Sequence, residues 1–127
     1  MTAARQRVGR RGEEIAAARL AAEGWRILAR NCRVPDVRGE LDIVALERGT
    51  LVFVEVKTMR ADAVRGPATP AAMVGRRKQL KLRALAAAWL RHRAGALGYV
   101  GLRFDVVALR LDRDDRVAEW DHIRAAF

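Results

Sequence analysis

The chain has 127 residues, a length that suits one domain, and its 51% hydrophobic residues are enough to build a core. A formal charge of +10 and a pI near 11.4 point to a polyanionic partner, with nucleic acid ahead of an anionic membrane surface. No apolar run approaches the ~20 residues of a spanning helix, and Cys32 is the only cysteine, so an intrachain disulfide and a cysteine zinc cluster are excluded. The expectation is a cytoplasmic protein that does not enter membranes, with Cys32 as a small buried hydrophobe.

The first predicted element is a helix from about Gly9 to Gly24. Ile15, Ala16, Ala18, Leu20 and Ala22 supply its apolar surface, Glu13 and Glu14 suit its first turns, and Gly24 marks its end. Trp25 to Cys32 alternates as a strand, and Arg33 to Gly39 reads as a loop. Two apolar runs follow, Gly39 to Ala45 and Leu51 to Lys57, joined through Arg48-Gly49 in the manner of a hairpin.

If the turn is symmetric about Arg48-Gly49, paired positions sum to 97, so Asp42 faces Glu55 and Glu40 faces Lys57. Directly opposed residues share a sheet face, and three carboxylates and one ammonium then gather at the open end of the hairpin. Two ionised carboxylates ~5 Å apart repel by roughly 3 kcal/mol at an effective dielectric near 20, so something must compensate. A hard cation, Mg²⁺ or Mn²⁺, held by Asp42 and Glu55 fits the donor set. A one-residue slip would send the two carboxylates to opposite faces. The lysine is also informative, since only Lys57, Lys78 and Lys81 among the 25 basic residues are not arginine. A compact ammonium with movable donors suits a site better than a rigid guanidinium fork.

Met59 to Thr69 has the composition of an exposed loop beside which substrate would come in, with Arg60 as a contact. Thr69-Pro70 can cap a second helix, although Gly75 defers its regular start to about Arg76. From there to Ala94, Leu82, Leu85, Trp89 and Leu90 form a buried stripe, while Arg76, Arg77, Lys78, Lys81 and Arg83 crowd the beginning. Five basic residues in eight positions at a helix N-terminus predict phosphate contact, with Lys78 foremost. Gly95, Gly98 and Gly101 mark a turn, Leu102 to Leu109 a strand, Asp112 to Arg116 a polar turn and Val117 to Ile123 a short final strand. Trp25, Trp89 and Trp120 are expected in the core, Asp105 in a structural role, and His92 and His122 outside any metal site.

The order is α-β-β-β-α-β with a weak extra strand. Helices on both sides explain a hairpin that is apolar on both faces, with Leu41, Ile43, Val52, Val54 and Val56 on one and Val44, Leu46, Leu51 and Phe53 on the other. The fold class is α/β with a mixed central sheet.

Glu40-Leu41-Asp42 followed by Glu55-Val56-Lys57 resembles the PD-(D/E)xK nuclease signature, with Leu-Asp in place of Pro-Asp. Gly9-x-x-Gly12-Glu13-x-x-Ala16, Gly24, Asn31, Gly39-Glu40-x-Asp42, Val52 to Lys57, Lys78, Arg103 to Val106 and Ala126-Phe127 together resemble the bacterial YraN-like family over almost the whole chain. That resemblance implies a restriction-endonuclease-like three-layer core over residues 1–127, similar to Holliday-junction resolvases. It implies that Asp42 and Glu55 bind the metal with the carbonyl of Val56 as a third ligand, and that Lys57 orients the attacking water. Glu13, or Glu14 if the helix is rotated, would add an acidic group from the first helix. Glu40 would be an auxiliary ligand or the ion-pair partner of Lys57. The implied activity is metal-dependent hydrolysis of DNA phosphodiesters, branched or structured DNA included, by a homodimer. The competing expectation is a DNA-binding module for repair or recombination that keeps the fold without turnover, and RNA is the less favoured ligand.

Overall fold

A computed structural model describes residues 2–63, 74–93 and 98–127. Its elements are helix α1 (Ala3–Ala22), strands β1 (Arg26–Val34), β2 (Val37–Glu47) and β3 (Thr50–Arg60), helix α2 (Arg76–His92), and strands β4 (Gly101–Leu111) and β5 (Val117–Ile123). They form one five-stranded sheet in the order β1-β2-β3-β4-β5. Neighbours are antiparallel except β3 and β4, which run parallel and are connected by way of α2. A parallel pair needs such a long crossover, whereas antiparallel neighbours need only a turn.

The hairpin forms in the predicted register: Ile43 pairs with Val54, Ala45 with Val52 and Glu47 with Thr50. Arg48 and Gly49 have φ of 47° and 83°. Positive φ at both central residues is the mirror-image type I′ turn, whose twist matches that of the strands.

The two faces of the sheet are covered by different helices, which makes three layers. Ala16, Ala17 and Leu20 of α1 pack with Trp25, Ile43, Val52, Val54, Val107 and Leu109. Leu82, Leu85, Ala86 and Trp89 of α2 pack with Leu41, Val44, Leu51, Phe53, Phe104 and Val106 on the other side. The C-terminus closes the second layer, with Ala126 N–H donating to Phe104 C=O at 2.8 Å and the rings of Phe104 and Phe127 stacked 5.2 Å apart. Trp25 and Trp89 are core residues, as expected. Cys32 is only partly buried, because it lies on the edge strand β1. Among the described residues no helix is long and apolar enough to cross a membrane.

Three local features depart from the expectations. Helix α1 starts six residues earlier than predicted, at Ala3, because Thr2 caps it by accepting the Arg5 N–H at 3.1 Å and Ala3 to Arg7 are good helix formers. Its end is as expected: Trp25 N–H reaches Leu20 C=O and Gly24 N–H reaches Ala21 C=O, each at 3.0 Å, with Gly24 at φ 98°. This is the Schellman arrangement, which favours glycine at that position. The loop predicted from Arg33 to Gly39 shrinks to a tight turn at Pro35-Asp36, since β1 continues to Val34 and β2 begins at Val37. Leu41 packs toward α2 rather than beside Ile43, so the two-residue alternation of β2 breaks between them, at Asp42. Gly39 of β2 (φ 125°) and Asn31 of β1 (φ 47°) lie close to this point.

Helix α2 begins at Arg76 behind Gly75, and the Gln79 side chain donates to Val74 C=O at 2.9 Å to hold its start. The predicted Thr69-Pro70 cap, most of the predicted loop after Met59 and the helix end at Ala94 lie outside the described residues.

Candidate active site

The β2–β3 ladder ends at Ile43 and Val54, and one step beyond it the break in β2 turns Asp42 toward β3. There the Asp42 carboxyl replaces a strand partner, with Oδ2 accepting the Val56 N–H at 2.9 Å. The Glu55 carboxylate lies near enough to raise the same carboxyl. Two acidic side chains thus meet at one end of the sheet, one step past the last paired residues.

Glu55 is 5% exposed and is paired on one oxygen with both Lys57 Nζ at 3.6 Å and Lys78 Nζ at 3.4 Å. The first ammonium comes from the same strand and the second from the first turn of α2, so the second pair exists only because α2 crosses that face of the sheet. Burial first, then the adjoining Glu55 carboxylate, pushes the Asp42 carboxyl up to about 9, while the Val56 N–H pulls the other way. At neutral pH Asp42 therefore holds a proton. Burial, with the negative charges of Glu40 and Glu55, also raises the Glu13 carboxyl, against Arg30 and Arg10.

These groups lie on the floor and walls of a cavity of about 1030 Å³ between the first half of α1 and the ends of β2 and β3. Glu13, Glu40, Asp42, Glu55, Lys57 and Lys78 all line it. Glu13 is the eleventh residue of α1, too far from the N-terminus for the helix dipole to account for it. Glu14 also reaches the lining, but its carboxylate pairs with Arg11 at 3.4 Å.

Other predicted site residues are placed differently. Glu40 pairs with Arg33 at 3.0 Å on the exposed side, so it is not the partner of Lys57, whose ammonium goes to Glu55. The strands have parted beyond Ile43 and Val54, and Glu40 no longer faces Lys57 across a ladder. Arg60 lines the cavity, yet its guanidinium is tied to Asp112 C=O at 2.9 Å and to the Asp115 carboxylate in the β4–β5 turn. Arg76, Arg77 and Lys81 are exposed on α2 but are not part of the cavity lining, and Lys78 alone of that cluster is. Arg5, Arg7, Arg10 and Arg30 do line it, Arg5 and Arg7 through the early start of α1 and Arg30 from β1.

The donor set is one of hard oxygens: the Asp42 and Glu55 carboxylates and the neighbouring Val56 carbonyl. It fits a divalent cation in charge, because the raised Asp42 carboxyl ionises at neutral pH only when added positive charge offsets its burial and the neighbouring Glu55. Among the described residues no three His, Cys, Asp or Glu side chains converge into a ready-made cage. A metal held here would rely on these two carboxylates with water or substrate oxygens.

A second polar cluster was missed by the sequence reading. Asp105, fully buried on the α1 face, accepts from Arg103 Nε at 2.9 Å, from Ala125 N–H at 3.0 Å and pairs with His122 Nε2 at 2.8 Å. Arg103 continues to Glu47 at 2.6 Å, where Arg124 also pairs. Burial would raise the Asp105 carboxyl, but His122, Arg103 and Ala125 together hold it below the usual carboxylate value. The cluster ties β4, β5 and the C-terminus together, in keeping with the structural role expected of Asp105.

Comparison with known proteins agrees with the extent of the pattern. Residues 12–109 match the family described as "Uncharacterised protein family UPF0102". A UPF0102 protein of Moorella thermoacetica is 47% identical with all of both chains covered. One from Acidothermus cellulolyticus is 45% identical over 98% of this chain and 96% of its own, and one from a Parafrankia species 46% identical over 96% and 97%. Asp42, Glu55, Lys57 and Lys78 all fall inside the matched residues, and the chain belongs to the UPF0102 family, the YraN-like group that its motifs resemble.

Proposed function

We propose that this protein is a divalent-metal-dependent endonuclease that hydrolyses phosphodiester bonds in DNA, including branched or structured DNA. The observation that carries the reading is the Asp42–Glu55 carboxyl pair, joined at the end of the hairpin and faced by Lys57 and Lys78 in an open cavity. A structural ion pair would not need two acids in contact. Such a pair lowers stability unless a cation or a proton offsets it, and perturbed carboxyls in a cleft are the usual mark of a working site.

The start of α2 supports the same reading. Arg76, Arg77 and Lys78 occupy its first turn, which contains no acidic residue. Each cation there opposes the positive end of the helix dipole by about 0.3–1 kcal/mol. A sequence that places charge against local stability at this point is arranged for an anion, and a phosphate group meets both the cations and the free backbone amides.

In this reading Asp42 and Glu55 would hold Mg²⁺ or Mn²⁺, with the Val56 carbonyl beside them. A bound dication supplies polarisation of the phosphate and a lowered pKa for the attacking water. Asp42 would give up its proton to hold the cation. Lys57, 35% exposed and resting on Glu55, is free to swing its ammonium to a phosphate oxygen or to the water and to balance charge that builds on the phosphorus. Lys78 neutralises the non-bridging oxygens from the α2 side. Glu13 orients water on the α1 side, where its raised carboxyl can accept or return a proton.

A second reading has one observation in its favour: Glu55 is already balanced by two ammonium groups, an arrangement that persists without metal. It is a DNA-binding module without turnover. A nicking assay on supercoiled and branched DNA separates the two, using wild type, Asp42→Ala and Lys57→Ala at matched salt with Mg²⁺, Mn²⁺ or chelator. Metal-dependent nicking that is lost in both variants while DNA binding persists supports the enzyme. Equal nicking by all three would mark a contaminant and end the site assignment, and binding without nicking in wild type would favour the module.

A further inference from the structure

The first nine residues of α1, Ala3 to Arg11, do not support the core: its buried positions are Gly12, Ala16, Ala17 and Leu20. More than two turns of helix therefore project past the sheet. They are held by the Thr2 cap and by propensity, and isolated helix of that length is marginal in water. The overhang carries Arg5, Arg7, Arg10 and Arg11 with no acidic residue. Burial does not explain it, and its charge opposes the helix dipole at its start. Arg5, Arg7 and Arg10 line the cavity that contains Asp42 and Glu55, whereas Arg11 turns to Glu14. Arg30 of β1 adds a further cation to the same wall.

We infer that the α1 overhang is a binding arm for a single, unpaired nucleic-acid strand, which it holds by its phosphates against the opposite wall formed by Lys57 and Lys78. The inference rests on the reading of Asp42 and Glu55 as a phosphodiester site. Charge complementarity selects a polyanion, and the shape of the cleft selects the unpaired strand. A cavity of about 1030 Å³ lies at the upper end of clefts that enclose a drug-sized ligand, roughly 300–1,000 Å³. It has room for a few nucleotides, while Glu55 at its floor is 5% exposed and beyond the reach of a phosphate on the outside of an intact duplex. The described lining contains no Phe, Tyr or Trp, so the strand is held by backbone charge rather than by stacked bases.

The test is fluorescence anisotropy with a labelled oligothymidylate and with a duplex of equal length, across a salt series in chelator, on Asp42→Asn protein. The arm variant adds Arg5→Gln, Arg7→Gln and Arg10→Gln. A charge-matched control adds Arg26→Gln, Arg91→Gln and Arg113→Gln, which are exposed and are not part of the lining. Each single-strand phosphate contact contributes about 0.7 to the salt slope. The arm variant is expected to lose about 2 from that slope and to bind the single strand about 10–100-fold more weakly at 0.1 M salt, with the control unchanged. Gln keeps helix propensity, so unchanged helicity by circular dichroism shows that charge and not the arm was lost. Arg7→Glu alone gives the same comparison from one position if the triple variant misfolds.

Duplex bound as tightly as single strand, or an arm variant whose salt slope matches that of the control, overturns the inference. Metal-dependent nicking by the parent protein is measured separately. Arm-dependent strand binding without nicking ends the nuclease reading and leaves the arm standing, and nicking with no arm dependence ends the arm alone.

Discussion

Replacing Asp42 by Asn removes the need for a bound proton and keeps the shape, and the fold should become more stable. Asp42 has a carboxyl at about 9 in the folded chain against 3.8 for the ordinary group. Keeping it protonated at pH 7 against an unfolded value of 3.8 costs 1.36 kcal/mol per unit, or about 4 kcal/mol. Asn needs no proton, since its oxygen can accept from Val56 N–H and its amide can donate to Glu55. Solvent access to the half-buried site and imperfect amide geometry bring the expected gain to about 2 kcal/mol, roughly 6–10 °C in melting temperature for a chain of this size.

The pH dependence gives the sharper check. A group whose folded value is raised contributes stability that is fully present below its unfolded value and is lost as pH rises through the folded value. Wild type should therefore lose ground to Asp42→Asn steadily between about pH 4 and pH 9. Thermal melts of both proteins in chelator at pH 5, 6, 7 and 8 measure the gap. A gap that stays constant across that range, or a variant less stable than wild type at pH 8, would refute the account of a protonated Asp42.

Adding Mg²⁺ or Mn²⁺ at pH 7 should raise the wild-type melting temperature and release close to one proton per metal bound, measured by calorimetry in buffers of different ionisation enthalpy, and both effects should vanish in Asp42→Asn. Gly12→Ala should cost about 1–3 kcal/mol, because an added Cβ would stand 1.8 Å from Thr58 Oγ1 and force α1 off β3; chemical denaturation reads the loss, and a neutral result would show that the helix is loosely seated. Thr58→Val should match or exceed wild type by up to about 1 kcal/mol in the same assay, because the Thr58 hydroxyl is buried with no hydrogen-bond partner among the described residues. Asp105→Ala should cost about 2–3 kcal/mol by removing the buried acceptor of Arg103, His122 and Ala125 N–H, while Arg103 keeps Glu47. The Asp105 contribution, from a lowered carboxyl, should be present above pH 4 and fade as pH falls below it; wild type and Asp105→Ala melting alike at pH 7 would remove it from the account.

The chain sequence by itself determined the elements and the hairpin register, because both are set locally. A two-residue turn that tolerates positive φ at Arg48 and Gly49, between runs apolar on both faces, leaves one pairing, and that pairing brings Asp42 to Glu55. Lys57 followed from the same strand. The two helices on opposite faces followed from apolar strands that need cover on both sides.

Tertiary structure alone decided the rest. Period-two alternation makes no provision for the break at Asp42, which arises because Leu41 and Ile43 are claimed by different helices. Glu40 was expected to face Lys57 by extending the ladder past the point where the strands part; it lines the cavity but pairs with Arg33 on the neighbouring strand. Glu13 and Glu14 are adjacent in sequence, and only the rotation of α1 against β3, set by the close approach at Gly12, turns Glu13 toward the carboxyl pair. The α1 overhang escaped a reading keyed to buried periodicity because those residues bury nothing. His122 reaches Asp105 across the β4–β5 pairing, whose register shifts at Arg110/Leu111 and so cannot be counted out from the turn. What is fixed within one turn or one strand can be read from the residues, while contacts between elements depend on which surfaces compete for the same side chain.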